Sequence, residues 1–232
     1  MIVPLHLGGD HAAAPVVVAG AVAWTEDGAA FVARAGQTRR VGAGKAIGID
    51  GRNVVLLRGR ELVDGSRSRR VNATDARWGD GHLLTTHPDP DGRVSVVVDG
   101  RTVEHVRTDQ AKVYPGQINA RYAVWTAGGA GHFYVERYRL GDGRIDRVPG
   151  GDYAHPQYGA AVDAGGAVYY ARSGFGCGGA TLYRWRHGRV TRLASLARSQ
   201  DYSASWYAGG SLYFDLGDCS GRTQHLVRLP LA

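Results

Sequence analysis

Residues 95–106, Ser95-Val96-Val97-Val98-Asp99-Gly100-Arg101-Thr102-Val103-Glu104-His105-Val106, decide the fold. A β-branched run ends at Asp-Gly, and a second run of mixed apolar and polar residues follows at once. Glycine accepts a positive φ without a Cβ clash and aspartate tolerates one, so this dipeptide closes a two-residue hairpin. The pattern recurs: residues 31–36 lead into 37–41, 61–65 into 66–71, 134–143 into 144–148, and 182–188 into 189–193. The turn glycines Gly36, Gly65, Gly100, Gly143 and Gly188 fall 29, 35, 43 and 45 residues apart. A four-stranded propeller blade repeats at about 40 to 45 residues.

Upstream of several hairpins lies a second strand pair. Asp75-Ala76-Arg77-Trp78 turns through Gly79-Asp80-Gly81 into 82–86, 158–162 turns through Asp163-Ala164-Gly165-Gly166 into 167–171, and 203–206 turns into 211–215. The sequence therefore predicts an all-β chain, a β-propeller of about six four-stranded antiparallel blades, forming one domain over residues 1–232. The last copy lacks an outer strand after 226–229, while 2–7 has no blade of its own. The N-terminal strand is expected to complete the last sheet and hide its edge, with Pro4 confining it to an outer position. The compressed first two copies leave a five-bladed ring open as the alternative. Helix signals reduce to 194–199, a segment too short and poorly capped to count.

Composition agrees with many short strands joined by sharp turns: 44% hydrophobic and 21% charged residues, with 35 glycines against 8 prolines. The net charge is +7, yet Lys45 and Lys112 are the only lysines. The arginines are dispersed, and the densest groups, Arg39-Arg40 and Arg67, Arg69 and Arg70, fall on expected outer strands as a solvated face. Nucleic acid is therefore not a favoured partner. No stretch approaches the roughly 20 apolar residues of a membrane span. A monomer without a membrane span is expected. Residues 1–10 lack a basic segment followed by a long apolar one, which fits a cytoplasmic chain, a mature form or an excised domain.

Trp24-Thr25-Glu26-Asp27-Gly28-Ala29-Ala30-Phe31-Val32 resembles the W-S-P-D-G-x-x-I-A-F signature of TolB-like propeller repeats, with Glu in place of Pro. Tyr122-Ala123-Val124-Trp125-Thr126, followed by Phe133-Tyr134-Val135 and the Leu140-Gly141-Asp142-Gly143 turn, is similar to the same class. The resemblance spans most of the chain and implies a six-bladed ring. It also implies an exported or envelope-associated binding module, although related rings cap peptidases or carry lyases. The family's preceding helical domain has no counterpart here, which puts a TolB-type partner in doubt, and no residue role is carried over.

Cys177 and Cys219 both sit in glycine-rich turns rather than on apolar strand positions. A disulfide between them is expected, with two free thiols as the alternative, and a disulfide would place the chain outside the cytosol, in the extracellular space or cell envelope. In a propeller the loops from an outer strand to the next inner strand ring one mouth of the central channel, where a ligand site is sought. Asp152, Tyr153, His155 and Tyr158 lie on one such segment, and Asp201 and Tyr202 on another. These six are the candidate ligand-binding residues, with Asp109, Tyr114 and Gln117 as a weaker counterpart.

Acid, aromatic and imidazole groups at one mouth suit a protein, peptide or glycan ligand. The structural alternative is that each Asp caps its own turn and each Tyr packs between blades. The competing functional reading is a secreted hydrolase or lyase on carbohydrate or ester substrates, with Asp152, His155 and Asp201 as acid and base groups. No nucleophile elbow or phosphate loop is present, so no catalytic residue is assigned. The nine histidines are scattered, and His87-Pro88-Asp89-Pro90-Asp91-Gly92 lacks the closing glutamate of a calcium loop. Neither a metal nor a cofactor is expected. The five tryptophans fall on or beside expected strands and are assigned to the spaces between sheets.

Overall fold

Asp99 and Gly100 take φ angles of 49° and 83°, the left-handed pair that a two-residue hairpin requires. In the computed structural model, this turn is one of a series that builds six four-stranded antiparallel sheets arranged as a ring. Residues 3–5, 15–18, 20–173, 179–196, 200–218 and 224–231 are described, with backbone alone at 3–5, 173, 200–204, 217, 218, 224 and 225.

Blade 1 comprises Val16–Val18 (β2), Ala21–Glu26 (β3), Ala29–Arg34 (β4) and Gln37–Ala43 (β5). Blade 2 comprises Lys45–Asp50 (β6), Asn53–Arg58 (β7), Glu61–Asp64 (β8) and Arg67–Arg70 (β9). Blade 3 comprises Asp75–Gly79 (β10), His82–Pro88 (β11), Val94–Val98 (β12) and Arg101–Val106 (β13). Lys112–Ile118 (β14), Tyr122–Gly129 (β15), His132–Arg139 (β16) and Ile145–Arg147 (β17) form blade 4. Gln157–Val162 (β18), Val168–Ser173 (β19), Ala180–Arg186 (β20) and Arg189–Ser195 (β21) form blade 5. Blade 6 runs through Gln200–Ala208 (β22), Ser211–Asp218 (β23) and Gln224–Pro230 (β24), and Val3–Leu5 (β1) completes it.

The ring thus closes as expected, with Val3 opposite Leu226, Pro4 opposite His225 and Leu5 opposite Gln224. Pro4 sits on the outer strand, where its missing N–H breaks no inner ladder. The five-bladed alternative is wrong. The first two copies are complete blades, compressed because Gly44 alone joins β5 to β6. A Cβ at Gly44 would lie 2.7 Å from the Arg58 Cγ and 3.0 Å from the Leu57 carbonyl oxygen, so only glycine permits so short a connection. The weak helix signal also resolves: Ala194 and Ser195 end β21, and 197–199 lie outside the described residues.

The apolar core is divided into wedges between neighbouring blades. Ile47, Val55, Leu57, Ala76 and Leu83 join blades 2 and 3. Leu84, Val96, Ile118 and Trp125 join blades 3 and 4, and Val124, Val135, Val162 and Tyr170 join blades 4 and 5. Trp24, Trp125, Trp185 and Trp206 are buried as expected, while Trp78 is half-buried. Three neighbouring pairs of inner strands, β6–β10, β10–β14 and β14–β18, approach closely enough to demand glycine. A Cβ on Gly79 would stand 2.0 Å from the Ile118 carbonyl oxygen, and one on Gly116 would stand 2.3 Å from that of Ala160. This approach brings β10, β14 and β18 together around a narrow channel.

Candidate functional site

Because every blade begins at its inner strand, the first residues of β6, β10, β14 and β18 gather around one mouth of the channel. There they line a cavity of about 400 Å³. Lys45 opens β6, and its Nζ lies 2.5 Å from the Asp75 carboxylate at the start of β10. Arg77, 6% exposed, places Nη1 3.3 Å from the same oxygen and donates to the Ala76 carbonyl at 2.8 Å. Burial raises the Asp75 pKa, but Arg77, Lys45 and the Ala76 N–H outweigh it and hold the carboxyl below its usual range. Burial, with the neighbouring Arg77 charge, lowers the pKa of Lys45 against the pull of Asp75.

The opposite wall is aromatic. Phe133 stands between Tyr114 and Tyr158, with ring centroids 6.0 and 5.3 Å apart, and all three line the cavity. Lys112 reaches the same space from the start of β14. Burial raises the Tyr158 pKa, so its hydroxyl stays protonated at neutral pH. Among the described residues, the large apolar side chains that stay exposed are Tyr114 and Tyr153, at 47% and 54%. Both belong to this mouth.

The expected residues divide. Tyr158 lines the cavity. Tyr153 lies on the rim, its ring 5.5 Å from that of His132, next to Phe133 in the chain. Asp152 and His155 stand on the exposed part of the same loop, where the Asp152 Oδ1 accepts the His155 backbone N–H at 2.7 Å. That bond, with the His155 ring 3.2 Å away, holds the Asp152 carboxyl below its usual range. This is the turn-capping use of aspartate. Gln157, fully buried, anchors the loop by accepting from the Val135 N–H and donating to the Pro149 carbonyl at 2.8 and 2.9 Å. Asp201 and Tyr202 lie on β22 with side chains outside the description, and Cys177 and Cys219 fall outside the described residues altogether.

Tyr114 belongs to the mouth as expected, but Gln117, three residues further along β14, lies against the other one. Its amide donates to the Tyr207 carbonyl at 2.9 Å and accepts from the Tyr207 and Val162 N–H groups at 2.9 and 3.3 Å. It thereby ties blades 4, 5 and 6 together across the channel. Lys45, Asp75, Arg77, Lys112 and Phe133 were absent from the sequence expectation. The signal that marks the site is the pair of lysines in an arginine chain, both of which come to this mouth.

One other polar cluster resembles catalytic machinery. Ser95 Oγ and the Asp89 carboxylate both approach His105 through the same nitrogen, Nδ1, at 2.9 and 3.0 Å. A relay needs the serine on one ring nitrogen and the acid on the other, so this arrangement holds the 89–93 turn instead. No group of His, Cys, Asp and Glu among the described residues is placed to hold a metal ion.

No family model and no curated protein matches the chain. Solved structures do. A putative TolB from Agrobacterium tumefaciens aligns over 95% of this chain and 91% of its own, with 14% identity and a TM-score of 0.58. The fold is the TolB-like six-bladed propeller. A calcium-binding protein, regucalcin, from the same organism aligns over 99% of this chain and 93% of its own, with 14% identity and a TM-score of 0.58. TolB from Acinetobacter baumannii aligns over 96% of this chain but only 55% of its own, with 12% identity and a TM-score of 0.44. At these identities the likeness establishes the architecture, and a fold alone does not fix an activity.

Proposed function

We propose that this TolB-like propeller is a non-catalytic binding module that holds its ligand at the wide mouth of the channel. The observation that carries the reading is the cavity lined by Lys45, Asp75, Arg77, Lys112 and the Tyr114–Phe133–Tyr158 wall. A concave site with a few fixed polar groups and a large aromatic surface is the usual form of a ligand pocket. Asp75, the one lining carboxylate among the described residues, is held ionised by Arg77 and Lys45, a poor state for proton transfer near neutrality. The bound species is a peptide, protein or glycan element that enters this mouth, or a small molecule in its place.

The competing reading, a secreted hydrolase or lyase, draws on the contact between Asp152 and His155. Both groups are exposed, and Asp152 is already engaged with the backbone of its own turn. Replacing Asp152, His155 and Asp201 with alanine together should leave ligand binding intact. Loss of turnover on a carbohydrate or ester substrate in that variant would favour the enzyme.

Crosslinking in the native host, with thermal-shift screening of the purified chain, tests the module directly. Recovery of a partner or ligand that protects Tyr114 and Lys112 supports it, and failure of both approaches counts against it. Export to the envelope or beyond is part of the same reading. Thiol titration in denaturant should then find Cys177 and Cys219 blocked, and two free thiols would remove that support.

A further inference from the structure

The wide mouth separates its chemistry by blade. Its cations come from blades 2, 3 and 4, as Lys45, Arg77 and Lys112, and its ring wall from blades 4 and 5. Asp75, the one carboxylate in the lining among the described residues, is shared by Lys45 and Arg77, so among those residues three cations face one anion. Lys112 has no hydrogen-bond or ion-pair partner among the described residues. An excess of positive charge in a partly enclosed, ring-lined space concentrates field lines and is compensated best by an anion.

Resting on the reading of this mouth as a ligand site, we infer that its ligand is a small molecule in which an anionic oxygen group, carboxylate or phosphate, is joined to a flat ring. The anionic oxygens meet Lys45, Arg77 and Lys112, and the ring lies along Tyr114, Phe133 and Tyr158. Offset or tilted contacts between rings add to the burial of their area. A cavity of about 400 Å³ stands near the lower end of ligand sites, which span roughly 300 to 1,000 Å³. It admits a ring with its acid group rather than a long chain.

The choice of lysine supports the same conclusion. All but two of the 28 basic residues are arginines, and the two exceptions both line this cavity. Arginine serves where a planar fork meets a fixed partner, as Arg137 does with Asp146 at 2.7 Å. An ammonium on a flexible stem can follow an anion that arrives and leaves.

Calorimetric titration of the full chain with benzoate, phenyl phosphate, benzyl alcohol and inorganic phosphate tests this. Benzoate or phenyl phosphate should bind at least about tenfold more tightly than benzyl alcohol or inorganic phosphate, and the tighter of the two names the acid. Lys112→Gln and Tyr114→Ala change exposed side chains, so the fold should survive, and each should weaken the preferred aryl anion about five- to tenfold. Raised salt should weaken it further.

Equal affinity for benzyl alcohol, or affinity unaltered by both substitutions, would overturn the inference. So would the absence of binding by all four probes. If a macromolecular partner is still recovered from the host in that last case, the binding-module reading stands without this ligand class. If none is recovered, both fall.

Discussion

The two mouths of the channel are built from the same inner strands and do opposite things. Where the strands enter, Lys45, Lys112, Tyr114 and Tyr158 leave charge and ring surface facing a cavity of about 400 Å³. Where they leave, the space is about 280 Å³ and amides staple the blades across it. Gln117 bonds to blades 5 and 6, while the Asn119 amide donates to the Val162 and Asp163 carbonyls at 3.3 and 3.2 Å. Irregularities between Pro115 and Ile118, Tyr158 and Ala161, and Tyr202 and Ser205 separate the two ends of β14, β18 and β22. A bulge re-aims the residues beyond it. One strand can thus present a ligand-facing side chain at one end and a structural one at the other.

The most severe challenge to this division is to force the inner strands apart. Gly116→Ala, at the wide mouth, and Gly79→Ala, at the narrow one, each drive a Cβ into the backbone of the neighbouring blade. Each should cost about 3 kcal/mol, read as a fall of roughly 10 °C in calorimetric melting temperature. Equal losses would show that the two mouths differ in chemistry but share one packing constraint. A silent substitution at either would break the account of the ring.

Gln117→Leu tests the narrow mouth alone. It leaves the Val162 and Tyr207 N–H groups and the Tyr207 carbonyl without this partner, for a loss of about 2 kcal/mol in chemical denaturation. Ligand affinity at the wide mouth should change little in the folded protein.

Glu104 offers a control away from both mouths. Burial, then its hydrogen bond to Glu136 and that group's charge, push its carboxyl up to about 8. Trp125 Nε1 donates to both glutamates, at 3.0 and 3.1 Å, and Arg147 balances Glu136 at 2.8 Å. Glu104 binds its proton more tightly folded than unfolded. The stability it lends is therefore complete below its ordinary value of 4.5 and is lost as pH rises through about 8. Glu104→Gln should flatten that decline, measured as melting temperature across pH 4 to 9. An unchanged pH profile would remove Glu104 as its source.

The smallest effects belong to the rim. Asp152→Ala and Tyr153→Ala remove exposed groups and should melt with the parent, yet Tyr153→Ala should still weaken a ligand that extends past the cavity. If both are silent in melting and in binding, the site ends at Tyr158.

The contrast between the mouths explains what could be read from the chain. Blade hairpins were legible because Asp-Gly and Gly turns act locally, through φ alone, and β12 and β13 follow the sequence pattern within one residue. Blade number was less so, because Gly44 replaces a loop with a single residue. The site was hardest. Lys45 and Phe133 are 88 positions apart and share a cavity only because two different blades place them there. Asp152 and His155 were placed on a mouth loop from the sequence alone, but the hydrogen bond between the Asp152 carboxylate and the His155 backbone, which the local turn makes, could not be read there.

The seam that closes the ring has a mechanical consequence. Three residue pairs join β1 to β24, and Val3, nearest the amino end, lies opposite Leu226, nearest the carboxyl end. Tension applied to the two ends would therefore peel the pairs apart one after another, beginning at Val3, instead of shearing all three together. In a pulling experiment the ring should open at its seam, at low force, before any other blade gives way.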